Sequence, residues 1–552
     1  MNLPEPKSTT FPSLMADIEK GITKIPQFQR DFVWGKEKSA ALLDSIVKGY
    51  PIGTFILWKT KEELRSVRNI GGLNLPETPQ GDYTEYVLDG QQRLTSLFAA
   101  LKGLTIERED RKDDYSEFYL DLDAADDEPI VLTELADTDH HTLIKLHDLL
   151  DGDIELLTSY AKPHQQRIQE IRDRIKSYQF SSVLIREAPV DVATEIFTRL
   201  NVSGKPLSVF EIMVAKTFDS KANFDLSEKY DELQAKLETV DYGTISDSVV
   251  LQTLSIFLVK ECRKKDILKL PRKKVIETWP VVANAIKYAV DHFRDAYRIP
   301  VSKLLPYPTL IVPFAYYFHK AGKKPTGDQK KLMENFFWRA ALGGRYSQSV
   351  ESRVAQDIRK IDAIIAGKSP KYEWAVDTSS EFIDRHGGFA VGRSYIKALL
   401  CILAYHQPKS FTDGSLVRIS NDWLQRANSK NYHHFFPKAY LKKNTEEEEY
   451  FINHIANITF VDDWLNKSVI RDQAPSKYMK KFQKENENLT VCMKSHLINL
   501  GKAGIFEDDY DVFYKKRCQA LSRELKKRII EQEIDTKEPA VAAQDTVEDD
   551  SE

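Results

Sequence analysis

Two adjacent histidines, His433 and His434, stand just before Phe435, Phe436 and Pro437. Asn457 comes 23 residues after His434, and Asn466 comes 9 residues after Asn457. Between them IANITFV, residues 455–461, is a short β-like run. Two His and two Asn on a hairpin followed by a helix can hold a divalent metal and a general base against a phosphodiester. Hydrolysing that bond needs an activated water, a Lewis acid and a positioned substrate. A neutral imidazole can take the proton of the water near neutral pH. On this pattern His434 ends the first strand and faces the phosphate, while His433 alternates to the other side and reaches a metal. Asp462 caps the helix WLNKSV, and Asn466 on that helix faces back to the metal. Asn457 ties the hairpin loop through side-chain-to-backbone bonds. A neutral His and Asn completed by waters suit hydrated Mg2+ and make a poor structural zinc site. Taken singly, an HH pair is an ordinary turn and a buried Asn an ordinary turn residue. The spacing of all four with Pro437 is what makes the pattern specific.

A second corner can do chemistry. In EYVLDGQQRLTSLFAALKG, residues 85–103, a strand runs into a helix whose apolar side is Leu94, Leu97, Phe98 and Leu101. Asp89 and Gly90 make the turn. The start of such a helix favours a phosphate. Arg93 offers a fork of donors to phosphate oxygens, and Asp89 is placed to hold magnesium or orient a water. The bland alternative is an N-capping Asp with a polar first turn, and the residues alone favour it. GxxxxGK[ST] is absent, so the corner is not a P-loop.

The elements that must carry these corners are of three kinds. TFILWK (54–59) and FSSVLIRE (180–187) read as strands, with FYLDLD (118–123) and PIVLTEL (129–135) as further candidates. Ser39 is placed to cap the helix SAALLDSIVKGY, and Ser208 with Glu211 fits a capping box. Residues 142–178 read as helix. Arg199, Asn201 and Lys205 are left over, free to face a ligand. Residues 220–400 lack alternation and show helical periods, so they form a helical domain. Within it RKKDILKLPRKK (263–274) reads as a solvated basic face or a DNA track. The acidic tail from about 533 reads as disordered.

Composition narrows the classes. The 552 residues carry a net charge of −4, with 42% hydrophobic and 29% charged residues. That is an ordinary globular balance, so nucleic-acid binding must come from local basic patches. The four cysteines are far apart with no CxxC, which argues against zinc knuckles and disulfide frameworks and suits a cytoplasmic location. No signal peptide and no membrane span are expected.

The carboxyl-end pattern resembles the HNH (ββα-metal) nucleases, in the variety fused to GmrSD-type modification-dependent restriction proteins. The one departure is His433, where Asp or Glu is commoner. The amino-terminal half resembles their GmrS-type domain, a ParB/sulfiredoxin-like nucleotidase, through PQFQRDFVW (26–34), YPIGTFILW (50–58), VLDGQQRLTSL (87–97) and RLNVSGKPLSVFEI (199–212).

The resemblance implies an α+β chain. Its parts are a nucleotide-hydrolysing and DNA-sensing domain (1–220), a helical linker (221–400), an HNH nuclease domain (401–532) and a tail (533–552). It implies catalysis by His434, Asn457, Asp89 and Arg93, and metal ligation by His433 and Asn466 with Mg2+ or Mn2+. A nucleoside triphosphate would meet Gln29, Arg30, Asp89, Gly90, Gln91, Gln92, Arg93, Asn201 and Lys205. DNA would meet Lys438, Lys467 and Lys477. The activity implied is antiphage restriction, by nicking or cutting DNA that carries a modification. A homo-oligomer is compatible with the sequence. A ParB-like, nucleotide-dependent DNA-binding regulator without nuclease activity is the competing class. A nuclease whose amino-terminal domain only binds the target is a third.

Overall fold

The structure, a computed structural model, describes all residues except 1–2, 27–31, 62–63, 65–68, 71–72, 79–80, 108–111, 126–127, 135–141, 201–207, 220, 422–431, 462–469, 538 and 540–552. The fold is mixed α+β. Contacts group the chain into two compact units, Met1–Leu226 and Ser227–Glu552.

In the first unit five strands form one sheet: β1 (Glu5–Thr10), β2 (Thr23–Lys24), β3 (Phe55–Thr60), β4 (Thr84–Asp89) and β5 (Gln179–Arg186). Their order is β1-β5-β3-β4-β2. β1 runs antiparallel to β5, β5 parallel to β3, β3 antiparallel to β4, and β4 parallel to β2. Both faces of the sheet are covered. Phe55, Leu57, Val87 and Leu184 enter one core, with helices such as Phe11–Glu19, Lys36–Val47 and Gln91–Lys102 packed over them. Trp58, Tyr86, Leu88 and Ile185 enter a second core with Val190, Ala193 and Phe197. Two-sided burial is why FILW and YVL are continuous apolar runs instead of alternating ones. The register of β3 against β4 shifts between Ile56 and Leu57, so Ile56 faces Asp89 while Leu57 faces Val87. This irregularity lies opposite the DGQQR corner.

Two local expectations change and one holds. Residues 142–178 are not all helix, because Leu143–Lys145 pairs as a strand with Tyr119–Asp121 before the helix Lys162–Ser177 begins. Ser39 is not an N-cap: Gly35 holds that place. The buried Ser39 hydroxyl instead bonds Gly35 O at 3.0 Å and Ser96 Oγ at 2.9 Å. Ser208 and Glu211 do form a reciprocal capping box.

The second unit holds both the helical segment and the hairpin segment, which the sequence reads as separate domains. Long helices such as Arg272–Ala296, Ile311–Ala321, Gly327–Leu342 and Val350–Ile365 build most of it. The chain end is fastened to them. Arg339, fully buried, binds Asp535 and donates to Ile530 O at 2.8 Å. Residues Glu533–Thr536 therefore form an ordered turn, so the tail does not start at 533. Near the carboxyl end, β6 (Tyr432–His434) pairs antiparallel with β7 (Ile458–Phe460), setting His433 opposite Thr459 and His434 opposite Ile458. Among the described residues no helix is long and apolar enough to cross a membrane.

Candidate functional site

At the DGQQR corner the chain turns through Gly90, whose φ of 98° is left-handed. A Cβ there would lie 2.4 Å from Phe55 Cδ1, so both conformation and space demand glycine. The helix Gln91–Lys102 starts with Gly90 as N-cap and no side-chain cap, so Asp89 does not cap it. Asp89, 42% exposed, instead bonds Arg93 Nη2 at 3.1 Å. Arg93 also donates to Ile52 O at 2.8 Å and Thr54 O at 3.1 Å, and its guanidinium covers the Phe55 ring. The expected open fork is thus occupied, and it clamps the 52–55 segment to the corner. Gln92, expected to meet nucleotide, is 7% exposed, and its Oε1 accepts from Val33 N at 2.8 Å and Trp34 N at 3.2 Å. That bond supports the chain that follows PQFQR. Gln91 is also buried. Gln29, Arg30, Asn201 and Lys205 lie outside the described residues.

The hairpin brings His433, His434 and Asn457 together. Asn457 is fully buried. Its Oδ1 accepts from Phe436 N at 2.8 Å, and its Nδ2 donates to Phe436 O at 3.0 Å and Ile452 O at 3.1 Å. All its polar atoms bond backbone, so it positions the loop. The Tyr478 hydroxyl donates to Phe435 O, and Arg517, buried, donates to Ala456 O and Ile458 O. These bonds hold both strands of the hairpin from behind.

His434 Nε2 lies 3.0 Å from Asn453 Oδ1. Asn453 Nδ2 donates to Phe389 O at 3.2 Å, and Phe389 N donates to Asn453 O at 2.8 Å. The Phe389 carbonyl can only accept, which fixes the amide with its oxygen toward the imidazole. His434 Nε2 must then carry the proton, leaving Nδ1 as the basic nitrogen. Burial pushes the His434 imidazole down to about 4, against a smaller upward pull from Asn453. The ring is therefore neutral at pH 7, as a base must be. Lys438 and Glu449, an ion pair at 3.7 Å, also act on it, Lys438 downward and Glu449 upward.

Nothing local in the sequence marks Asn453. Its partners are 19 and 64 residues away, and only the turn Gly387–Phe389, bridged to His454 and Asn453, brings them together. His433 is 2% exposed. Its expected partner Asn466, the cap Asp462 and Lys467 lie outside the described residues. Among the described residues no three His, Cys, Asp or Glu side chains form a metal cluster. Lys477 is exposed on the helix Pro475–Glu485.

Comparison with known proteins agrees with the amino-terminal part of this picture. The chain is 22% identical over 548 residues to the uncharacterized protein MJ0686 of Methanocaldococcus jannaschii, covering 88% of this chain and 90% of that protein. Residues 12–218, which hold the sheet from β2 to β5 and the DGQQR corner, match the family described as GmrSD restriction endonuclease, N-terminal domain, and over that span the chain is similar to those enzymes.

Proposed function

We propose that the chain is a restriction endonuclease of the GmrSD type, which cuts or nicks phage DNA carrying a modification through an HNH-like site at β6 and β7. The observation that supports it most is the His434–Asn453 pair: a half-buried, neutral imidazole with one nitrogen engaged and the other basic. In the proposed step His434 Nδ1 takes a proton from water as that water attacks the phosphorus, the P–O bond to one sugar oxygen breaks, and that departing oxygen takes a proton from solvent. The Nε2–H bond to Asn453 keeps the ring oriented while it becomes imidazolium. Asn457 keeps the loop rigid under it. Of the proposed metal ligands, the described one is His433, a buried imidazole on the same strand as His434. With Asn466 it would hold Mg2+ or Mn2+, which supplies charge stabilisation at the phosphoryl group.

The first unit, in this proposal, binds and hydrolyses a nucleoside triphosphate at the Asp89–Arg93 corner and gates the nuclease. Plasmid nicking with Mg2+, with and without each triphosphate, tests both halves. His434→Ala should abolish cleavage and spare triphosphate hydrolysis. Asp89→Ala should abolish hydrolysis and alter cleavage. Unchanged cleavage by purified His434→Ala overturns the assignment of the base. Nucleotide-dependent DNA retention without strand breaks in the wild type returns the ParB-like regulator.

A further inference from the structure

The helix Pro475–Glu485 has two sharply different sides. Pro475, Tyr478, Met479 and Phe482 are buried. Lys477, Lys480, Lys481 and Lys484 are exposed. At 3.6 residues per turn the four lysines fall within an arc of about 100°, centred opposite the buried side. Among the described residues none of the four ammonium groups is engaged in an ion pair or hydrogen bond. Glu485 is the acidic residue that flanks the arc at its carboxyl end.

The helix is also fixed to the candidate site. The Tyr478 hydroxyl bonds the carbonyl of Phe435, the residue after His434. In the same first turn Ser476 bonds Asp508 through its backbone N–H at 2.7 Å and its hydroxyl at 2.6 Å. A row of cations thus lies on the outer face of a helix whose inner face is fixed to the hairpin that carries the proposed base. From Lys477 to Lys484 it runs for about 10 Å along the axis. One DNA strand carries a charge about every 3.4 Å of axis, so the row spans about three phosphates.

We infer that these lysines form a track on the outer face of this helix that binds the DNA backbone leading to the His434 hairpin, an inference that rests on the nuclease proposal above. A second basic run, residues 263–274, is as rich in Lys and Arg but starts the helix Arg272–Ala296 and, among the described residues, makes no bond to the hairpin. It serves as the control for charge alone.

The test uses full-length protein made cleavage-dead by His434→Ala and a labelled duplex of about 30 base pairs, with affinity followed by anisotropy across salt concentrations. Each phosphate contact adds about 0.9 to the slope of log affinity against log salt. Changing all four lysines to Gln should lower that slope by about 2 to 3 and leave triphosphate hydrolysis unchanged. Changing them to Arg should preserve the slope, which separates charge from folding. Lys264, Lys265, Lys269 and Lys273 changed to Gln should leave it nearly unaltered. An unaltered slope in the helix variant, or the full loss in the control variant, overturns the track while the nuclease proposal stands. Absence of DNA binding by the parent together with absence of plasmid nicking by wild type overturns both.

Discussion

Asn457 offers the sharpest test of how the hairpin is built. It is fully buried, and its amide makes three bonds to the loop: from Phe436 N at 2.8 Å, and to Phe436 O at 3.0 Å and Ile452 O at 3.1 Å. Asn457→Ala removes all three. A buried donor left unsatisfied costs about 1–3 kcal/mol, and the two carbonyls add to it, so a local loss of about 3 kcal/mol follows. Asn457→Asp is the more informative change. It keeps the acceptor for Phe436 N but points the second carboxylate oxygen at two carbonyls, while the guanidinium of Arg517 is spent on the Ala456 and Ile458 carbonyls. A buried, uncompensated charge costs about 3–5 kcal/mol. At pH 7 the order of stability is therefore Asn, then Ala, then Asp, although Asp is nearly isosteric. Acidification should shrink the Asp deficit relative to wild type at the same pH, since a protonated carboxyl regains one donor. Hydrogen exchange over a peptide spanning 432–460 in the full chain reads this locally. A loss of 3 kcal/mol corresponds to exchange about 100-fold faster. Protection of Asn457→Ala within threefold of wild type, or greater protection in the Asp variant than in Ala at pH 7, refutes the account.

Gly90→Ala should lower the melting temperature of the first unit and abolish triphosphate hydrolysis, because a left-handed backbone costs about 1–2 kcal/mol and the contact with Phe55 adds about 1–3 more. Differential scanning fluorimetry and a phosphate-release assay check it. Because burial holds His434 at about 4, the neutral base persists down to that pH, and the acid limb of kcat/KM should fall near 4 instead of near the ordinary 6.5. His454 and His496 are buried and also held down to about 4. Between their unfolded value of 6.5 and about 4 the unfolded chain binds more protons. The stability each contributes is therefore full above 6.5 and lost as pH falls through that window. The loss is about 3 kcal/mol apiece, measurable as acid denaturation of the second unit.

What the sequence discloses here depends on how local the cause is. The apolar runs of β3 and β4 are visible because burial on two faces writes itself into consecutive residues. The Ser208 capping box is visible because both halves lie within four residues. Residues 142–178 mislead because LIKLHDLL has helical spacing. What makes Leu143–Lys145 a strand is its pairing with Tyr119–Asp121, about 24 residues back. Ser39 misleads for a related reason: its residue type suits a cap, but a helix start one turn earlier leaves it inside, bonded to Ser96 on another helix. Asn453 is invisible because its meaning lies wholly in His434 and Phe389, residues that only the folded chain assembles.

Arg93 shows how an expected role and an observed one can share a side chain. Its type and its place after DGQQ suit phosphate, and the helix start beside it favours an anion. Yet in the structure Ile52 O, Thr54 O and Asp89 take its Nη groups, and Gly53 is shaped around it: a Cβ there would lie 2.6 Å from Nη1. Two of these partners are carbonyls of the loop and can bond throughout, so the clamp and the loop go together. The third, Asp89, is 42% exposed and is the one a phosphate could replace. A nucleotide phosphate at this corner must therefore compete with Asp89 for Arg93 Nη2. Each exchange that brings Arg93 to phosphate also releases a carboxylate beside it. The two residues thus act as one device, and removing either one changes what the other is free to do.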